Sequence, residues 1–339
     1  MSMKKVLVTG AAGFIGFHYA KALCAAGHDV YGVDNMNDYY DVSLKQARLD
    51  ELQKLENFTF TKLDLADRIA TQDYFAAHKP NIVANLAAQP GVRYSIENPH
   101  AYIDSNISGF LNVLEGCRHN AVEHLIFASS SSVYGANTKL PFSTADNVDH
   151  PISLYAATKK SNELMAHSYA HLYRMPVTGL RFFTVYGPWG RPDMAVYGFT
   201  DKLYAGEDIN VYNHGDMQRD FTYVDDIIQS MMRLLDKPPA PDANWSGDAP
   251  NSATSNAPYA LYNIGNNNPE QLMDLIKFLG EETGIEPQLN MMDMQPGDVY
   301  ATFADTDALA RDIGFKPETP LKEGIARFID WYKSYHGES

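Results

Sequence analysis

Lys4-Lys5-Val6-Leu7-Val8-Thr9-Gly10-Ala11-Ala12-Gly13-Phe14-Ile15-Gly16 decides the fold. Residues 4–9 read as a short buried strand, and the glycines that follow at intervals of three open a helix running to about residue 26. The first glycine permits a tight turn, the second lets backbone approach a pyrophosphate, and the third lets helix pack closely on strand. An anion at that helix end meets free N–H groups and the positive end of the helix dipole. Gly27 supplies a left-handed stop, residues 29–33 form the second strand, and the strand finishes on Asp34. An acid eighteen positions beyond Gly16 suits the ribose hydroxyls of NAD and repels the extra phosphate of NADP.

Strand and helix patterns keep alternating outward from this unit. Residues 58–63 form a third strand ending at Asp64-Leu65, with 81–86 the fourth, 122–129 the fifth and 177–183 the sixth; helices cover 102–119 and 154–173. This is the pattern of an α/β fold, a Rossmann-type doubly wound parallel sheet, with a smaller C-terminal α/β domain. The expected division is an NAD-binding domain over 1–180, with returning segments from the second half, and a mainly substrate-binding domain over 181–339. The proline-, serine- and asparagine-rich tract 237–259 reads as a long surface loop. The last helix, 321–335, carries Ile325, Phe328, Ile329 and Tyr332 at docking periodicity.

Bulk composition narrows the function class. A chain of 339 residues, 45% hydrophobic, can bury a large core and exceeds the usual single-domain size. Twenty-seven basic against 42 acidic residues leave a net charge of −15, which argues against nucleic acid as a partner. An anionic substrate then requires locally placed arginines. No apolar run reaches the roughly 18 residues of a membrane span, no secretory signal precedes the first strand, and Cys24 and Cys117 fit small core positions in a reducing compartment. The expectation is a cytoplasmic enzyme with no metal site and no membrane partner.

Tyr155 and Lys159, four residues apart, fall on one face of the 154–173 helix. A free phenol ionises near pH 10, but a cation about 4 Å away at an effective dielectric near 20 favours the phenolate by roughly 4 kcal/mol. That suffices to make Tyr155 a general base near neutral pH. Beside a dinucleotide site, such a pair points to oxidation of an alcohol.

The chain resembles, nearly end to end, the extended short-chain dehydrogenase/reductase family of nucleotide-sugar enzymes. The marks are the glycine triplet, Asp64-Leu65, Leu86-Ala87-Ala88, Asn106, the run Ala128-Ser129-Ser130-Ser131-Ser132-Val133-Tyr134-Gly135, the tyrosine and lysine, and Arg219-Asp220-Phe221-Thr222-Tyr223-Val224. Within it, the chain is most similar to the UDP-glucuronate 4-epimerases, through Asn37-Asp38-Tyr39-Tyr40-Asp41, Ala88-Gln89-Pro90-Gly91-Val92-Arg93-Tyr94, the stretch from Arg181 to Met194, and the proline-rich insertion before Tyr262-Asn263-Ile264-Gly265.

The resemblance implies roles. Ser130, Tyr155 and Lys159 become the catalytic residues, with four consecutive serines leaving the register of the first open. Gly10, Gly13, Phe14, Ile15, Gly16, Asp34, Asn35, Asp64, Leu65, Leu86, Ala87, Ala88, Asn106, Ser129, Tyr155, Lys159 and Phe182 form the cofactor shell for NAD. Arg93, Ser130, Ser131, Ser132, Thr184, Arg191, Arg219 and Asp298 face a UDP-sugar, Arg219 at the diphosphate and Asp298 at a ribose hydroxyl. Relatives that dehydrate or decarboxylate the sugar place an acid at the position of Ser131 or Ser132; with serine at both, the chemistry stops at epimerisation. Many relatives have arginine where this chain has Gln295, which leaves less positive charge near the phosphates. Family members pair the two long helices, 102–119 and 154–173, into a homodimer. An epimerase of neutral UDP-sugars, a UDP-glucuronate decarboxylase, and a non-catalytic nucleotide sensor stand as alternatives.

Overall fold

In the computed structural model, which describes residues 3–294 and 300–338, Thr9 ends an interior strand of a seven-stranded parallel sheet. That strand, β1 (Lys5–Thr9), runs into helix α1 (Phe14–Ala25), and is followed by β2 (Asp29–Asp34), β3 (Phe58–Lys62), β4 (Ile82–Asn85), β5 (His124–Ser130) and β6 (Val177–Phe182). The spatial order is Tyr259–Ile264, β6, β5, β4, β1, β2, β3. β1 lies between β2 and β4, with Val6 opposite Val30 on one side and Ile82 on the other. The order reverses at β1, so the crevice beyond its carboxyl end is where such sheets bind ligands.

β1 and β4 are apolar and almost wholly buried, as strands covered on both faces must be. On one face Leu7, Val83, Leu125 and Phe127 pack against Phe75, Phe110, Val113, Leu114, Ala166 and Ala170 from the covering helices. Each large side chain buried there stabilises the fold by about 1.5–3 kcal/mol.

The chain divides into two compact units. The first holds residues 1–139, 143–182 and 228–263; the second holds 140–142, 183–227 and 264–339. One of the chain's crossings between them falls inside the Val224–Leu235 helix. The second unit has a three-stranded sheet of Pro269–Gln271, Gln218–Tyr223 and Thr184–Tyr186, and a parallel pair of Ile209–Val211 with Leu289–Met291. Its last helix, Leu321–His336, buries Ile325, Phe328, Ile329 and Tyr332. Asp220, fully buried, knits this unit together, its carboxylate accepting from the backbone N–H of Asn266 (2.7 Å), Asn267 (3.1 Å) and Ala304 (3.1 Å).

One expected element differs in kind. Residues 102–119 are not a uniform α-helix: Pro99–Tyr102 and Phe110–His119 are α-helical, while Ile103–Gly109 between them is π-helical. The wider turn frees the Asn106 carbonyl, which accepts from the Asn162 amide at 2.6 Å. π-Turns inside helices are frequent at functional sites.

Candidate active site

The glycine loop has little freedom. Gly10 takes φ +69°, and a Cβ there would lie 2.8 Å from the Ala87 nitrogen; a Cβ on Gly16 would collide with the Gly10 carbonyl oxygen. Gly13 begins α1 without any side-chain cap, which leaves the first-turn N–H groups to an external anion. Behind the loop the Thr9 hydroxyl donates to Asn85 Oδ1 (2.8 Å) and accepts from the N–H groups of Leu86 and Ala87 (3.1 Å each). Leu86, Ala87 and Ala88 are thus fixed beside Gly10.

Asp34 is 8% exposed and ends β2, with one carboxylate oxygen accepting from Met36 N–H at 2.8 Å. Asn35 stabilises the following turn by accepting from Asn37 N–H. Asp64 is exposed and accepts from Ala66 N–H (2.9 Å), while the Leu65 carbonyl accepts from the Asn112 amide (2.8 Å). Asn106 is buried and fully engaged: it accepts from Gln89 N–H at 2.7 Å and donates to the Gln89 carbonyl and the Thr158 hydroxyl, both at 3.1 Å. Gly10, Gly16 and the uncapped α1 terminus make a cradle that fits a dinucleotide diphosphate, and Asp34 fits the ribose.

Tyr155 and Lys159 stand in the Leu154–Tyr173 helix, which is capped by the Ser153 hydroxyl accepting from Ala156 N–H at 3.1 Å. Tyr155 is half-buried and meets the ring of Tyr102 edge-on at 6.1 Å. Lys159 is 3% exposed, and burial draws its ammonium down to about 8 against a smaller opposing pull from Glu163.

The serine run resolves by alternation along β5. Ser129, expected in the cofactor shell, turns its hydroxyl inside and donates to Glu163 Oε1 at 2.6 Å. The next residue, Ser130, ends the strand opposite Phe182 on β6 and begins the Ser131–Tyr134 3-10 turn, accepting from Ser132 N–H at 3.1 Å. That turn packs on the Tyr155 helix. Accepting this bond leaves the Ser130 hydroxyl proton to donate, whereas that of Ser129 is already engaged. Ser131 and Ser132 are half-buried.

Glu163, in turn, forms a bidentate pair with fully buried Arg181 (2.8 and 2.9 Å) and lies 3.7 Å from Lys160. Burial alone would raise the Glu163 carboxyl, but Arg181, Ser129 and Lys160 together hold it below the ordinary carboxylate range. The helix face that carries Tyr155 and Lys159 is therefore lined with charge one turn further on.

Other expected residues lie elsewhere. Arg93 is exposed at the start of the Tyr94–Glu97 helical turn. In the second unit Thr184 opens a strand opposite Phe221, and Arg219 donates to the carbonyls of Gln218 (2.9 Å) and Tyr300 (3.1 Å). The Arg191 guanidinium is engaged in a bidentate pair with Asp193 (2.9 and 2.6 Å), a poorer anion receptor than a bare arginine. Asp298 and Gln295 lie outside the described residues.

Sequence reasoning missed Glu163, Tyr102, and two buried cations behind the glycine loop, Lys45 and Arg48. Arg48 was detectable: Leu44, Arg48 and Leu52 recur every four residues, which sets Arg48 in the middle of an apolar stripe.

A parallel sheet with an uncapped glycine loop at its switch point, an acid ending the second strand, and a tyrosine–lysine helix beside the fifth strand define a dinucleotide-dependent enzyme. Residues 6–246 match the NAD dependent epimerase/dehydratase family, and the chain belongs to that family, with NAD as its cofactor. It is 59% identical over 332 residues to Protein CapI of Staphylococcus aureus, covering 98% of this chain and 99% of that one. A probable UDP-glucuronate 4-epimerase of Rhizobium meliloti is 48% identical over 329 residues, 97% of this chain and 96% of that one. Among solved structures, the UDP-glucuronic acid 4-epimerase of Bacillus cereus, in complex with UDP-glucuronic acid and NAD, superposes with a TM-score of 0.84 at 29% identity, covering 98% and 99% of the two chains.

Proposed function

We propose that the protein is a UDP-glucuronate 4-epimerase that interconverts UDP-glucuronate and UDP-galacturonate. The observation that carries the reading is the serine run: residues 131 and 132 are both serine, and the family resemblance implies an acid there in members that dehydrate or decarboxylate the sugar. Similarity to the Rhizobium and Bacillus proteins supports the same substrate.

Bound NAD supplies a hydride acceptor and donor at C4, so the reaction has no net redox change. Tyr155, as phenolate, takes the C4 hydroxyl proton and later returns it. Lys159 keeps the phenol acidic and holds the nicotinamide ribose, while Ser130 donates to the C4 oxygen. The 4-ketone lies β to the C6 carboxylate, so carbon dioxide is lost if the C5–C6 bond aligns with the carbonyl π system. Ser131 and Ser132 hold the carboxylate out of that alignment with neutral donors, weak enough to let the ketose present its other face. The same reading gives Thr184 to the carboxylate, Arg219 to the diphosphate and Asp298 to a ribose hydroxyl. The active species is a homodimer.

Purified protein incubated separately with UDP-glucuronate, UDP-glucose and UDP-N-acetylglucosamine, with products resolved by anion exchange, tests this. UDP-galacturonate, with at most traces of UDP-pentose, is the expected product. Turnover of neutral sugars alone overturns the substrate, and abundant pentose overturns the role of the serines. Tyr155→Phe should lower the rate by about 10²–10⁴-fold, the range of a lost general base.

A further inference from the structure

The stretch Asn37-Asp38-Tyr39-Tyr40-Asp41 and the helix after it have no part in the proposed chemistry, yet they bury two cations beside the cofactor loop. Asp41 caps the Val42–Leu52 helix by accepting from Ser43 N–H at 2.8 Å. The buried face of that helix is Leu44, Lys45, Arg48, Leu49 and Leu52. Arg48 is 0% exposed and donates to the Ala12 carbonyl at 3.0 Å and to the Tyr40 hydroxyl at 2.7 Å. Lys45, 6% exposed, donates to the Asn37 carbonyl (2.8 Å) and side-chain oxygen (2.7 Å). Both cations stand over the Tyr40 ring, 5.6 and 5.0 Å from its centroid.

Burying an arginine carries a large desolvation penalty, and a leucine would pack on this face without it. What Arg48 reaches explains its presence. Ala12 lies between Gly10 and Gly13, in a loop of glycine and alanine that has no side chain able to hold its own shape. A charge-assisted bond to the Ala12 carbonyl fixes the loop from behind. It also sets a permanent positive charge behind the α1 terminus, where Gly13 gives no side-chain cap.

We infer that Arg48, seated on Tyr40, is a positioning residue that holds the glycine loop in its diphosphate-binding form and so keeps NAD on the enzyme between turnovers. Retention matters because the proposed epimerisation returns NAD unchanged in every cycle, and to that extent the inference rests on that reading. Arg48, held by Tyr40, then does for the cofactor loop what a loop of glycine and alanine cannot do for itself.

The test follows release of NADH from the loaded full-length protein by its fluorescence after dilution into excess NAD, together with the rise in Tm that NAD produces. Arg48→Met should speed release about tenfold or more, the scale of one lost charge-assisted hydrogen bond, and shrink the NAD-induced rise in Tm. Arg48→Lys should recover part of the loss. Tyr40→Phe, which keeps the ring and removes the acceptor, should speed release about threefold or more. An arginine with only a structural role would lower the Tm of the NAD-free protein while leaving release and the NAD-induced rise at wild-type values, and that result overturns the proposal. If Arg48→Met does not fold, wild-type release from Tyr40→Phe overturns it instead. Failure of the epimerase reading shows up separately, as wild-type protein that retains NAD and converts no UDP-sugar.

Discussion

Lys159 stands where its own charge is costly. Its ammonium is drawn from the ordinary 10.5 to about 8 because burial outweighs the attraction of Glu163. The folded NAD-free chain therefore binds fewer protons at this site than the unfolded chain between pH 8 and 10.5, and stability rises with pH across that window. Below pH 8 the full penalty applies, on the order of 3 kcal/mol. Lys159→Met should accordingly stabilise the NAD-free protein by about 2–3 kcal/mol at pH 7 while abolishing epimerisation, and its advantage over wild type should disappear above about pH 10. Urea denaturation of both proteins at pH 7, 9 and 10.5 checks this. Equal stability at pH 7 would mean that the charge is not the burden its burial implies. A site residue that destabilises its own fold is a mark of function.

At the scale of elements, the Leu154–Tyr173 helix reverses the usual pattern. Its buried face carries Thr158, Lys159, Asn162 and Glu163, while Leu164 and Leu172 are 60% and 65% exposed. The polar face is tolerated because Thr158, Asn162 and Glu163 each have a partner, which leaves Lys159 as the costly member. Asn162 meets the carbonyl freed by the π-turn, and Asn106 in that turn reaches Thr158. Asn162→Leu removes the partner of a buried carbonyl and should lower stability by about 1–3 kcal/mol, measured by chemical denaturation; a loss below 0.5 kcal/mol, about the floor for a net hydrogen bond, would mean that water replaces the amide. The same inversion marks the limit of the sequence. β1, the glycines, β2 and Asp34 were legible because strand burial, turn geometry and cofactor charge all act within thirty consecutive residues. The π-turn was not, since hydrophobic periodicity does not register one extra residue per turn when its carbonyl is satisfied from a helix more than fifty residues away. The turn of the Ser129 hydroxyl toward Glu163 was equally hidden. Which of four identical serines faces inward depends on where β5 ends, and strand ends are set by pairing with β6 rather than by composition.

For the whole molecule, the exposed leucines gain meaning from what lies beneath them. The Leu154–Tyr173 helix and the Phe110–His119 segment lie side by side, joined by the Tyr169 hydroxyl donating to Glu115 at 2.6 Å and by Arg118 standing 4.1 Å over the Tyr173 ring. Ile103 in the adjoining π-turn, and Leu111 and Tyr173 on these two segments, are each between 41% and 42% exposed alongside Leu164 and Leu172. A chain of net charge −15 remains dispersed by repulsion, so an apolar surface of this kind needs a matching surface rather than mere proximity. A second copy offers one, because a two-fold axis sets the same patch against itself. Leu164 and Leu172 are eight residues apart and share one helix face, which puts both in the same contact. The double substitution Leu164→Glu and Leu172→Glu places like charges opposite one another and should convert the proposed dimer to a monomer in light scattering after size exclusion. Neither side chain takes part in the buried polar face, so NAD should remain bound to the monomer. A wild-type monomer, or a double variant that stays dimeric, would remove the two helices as the pairing surface.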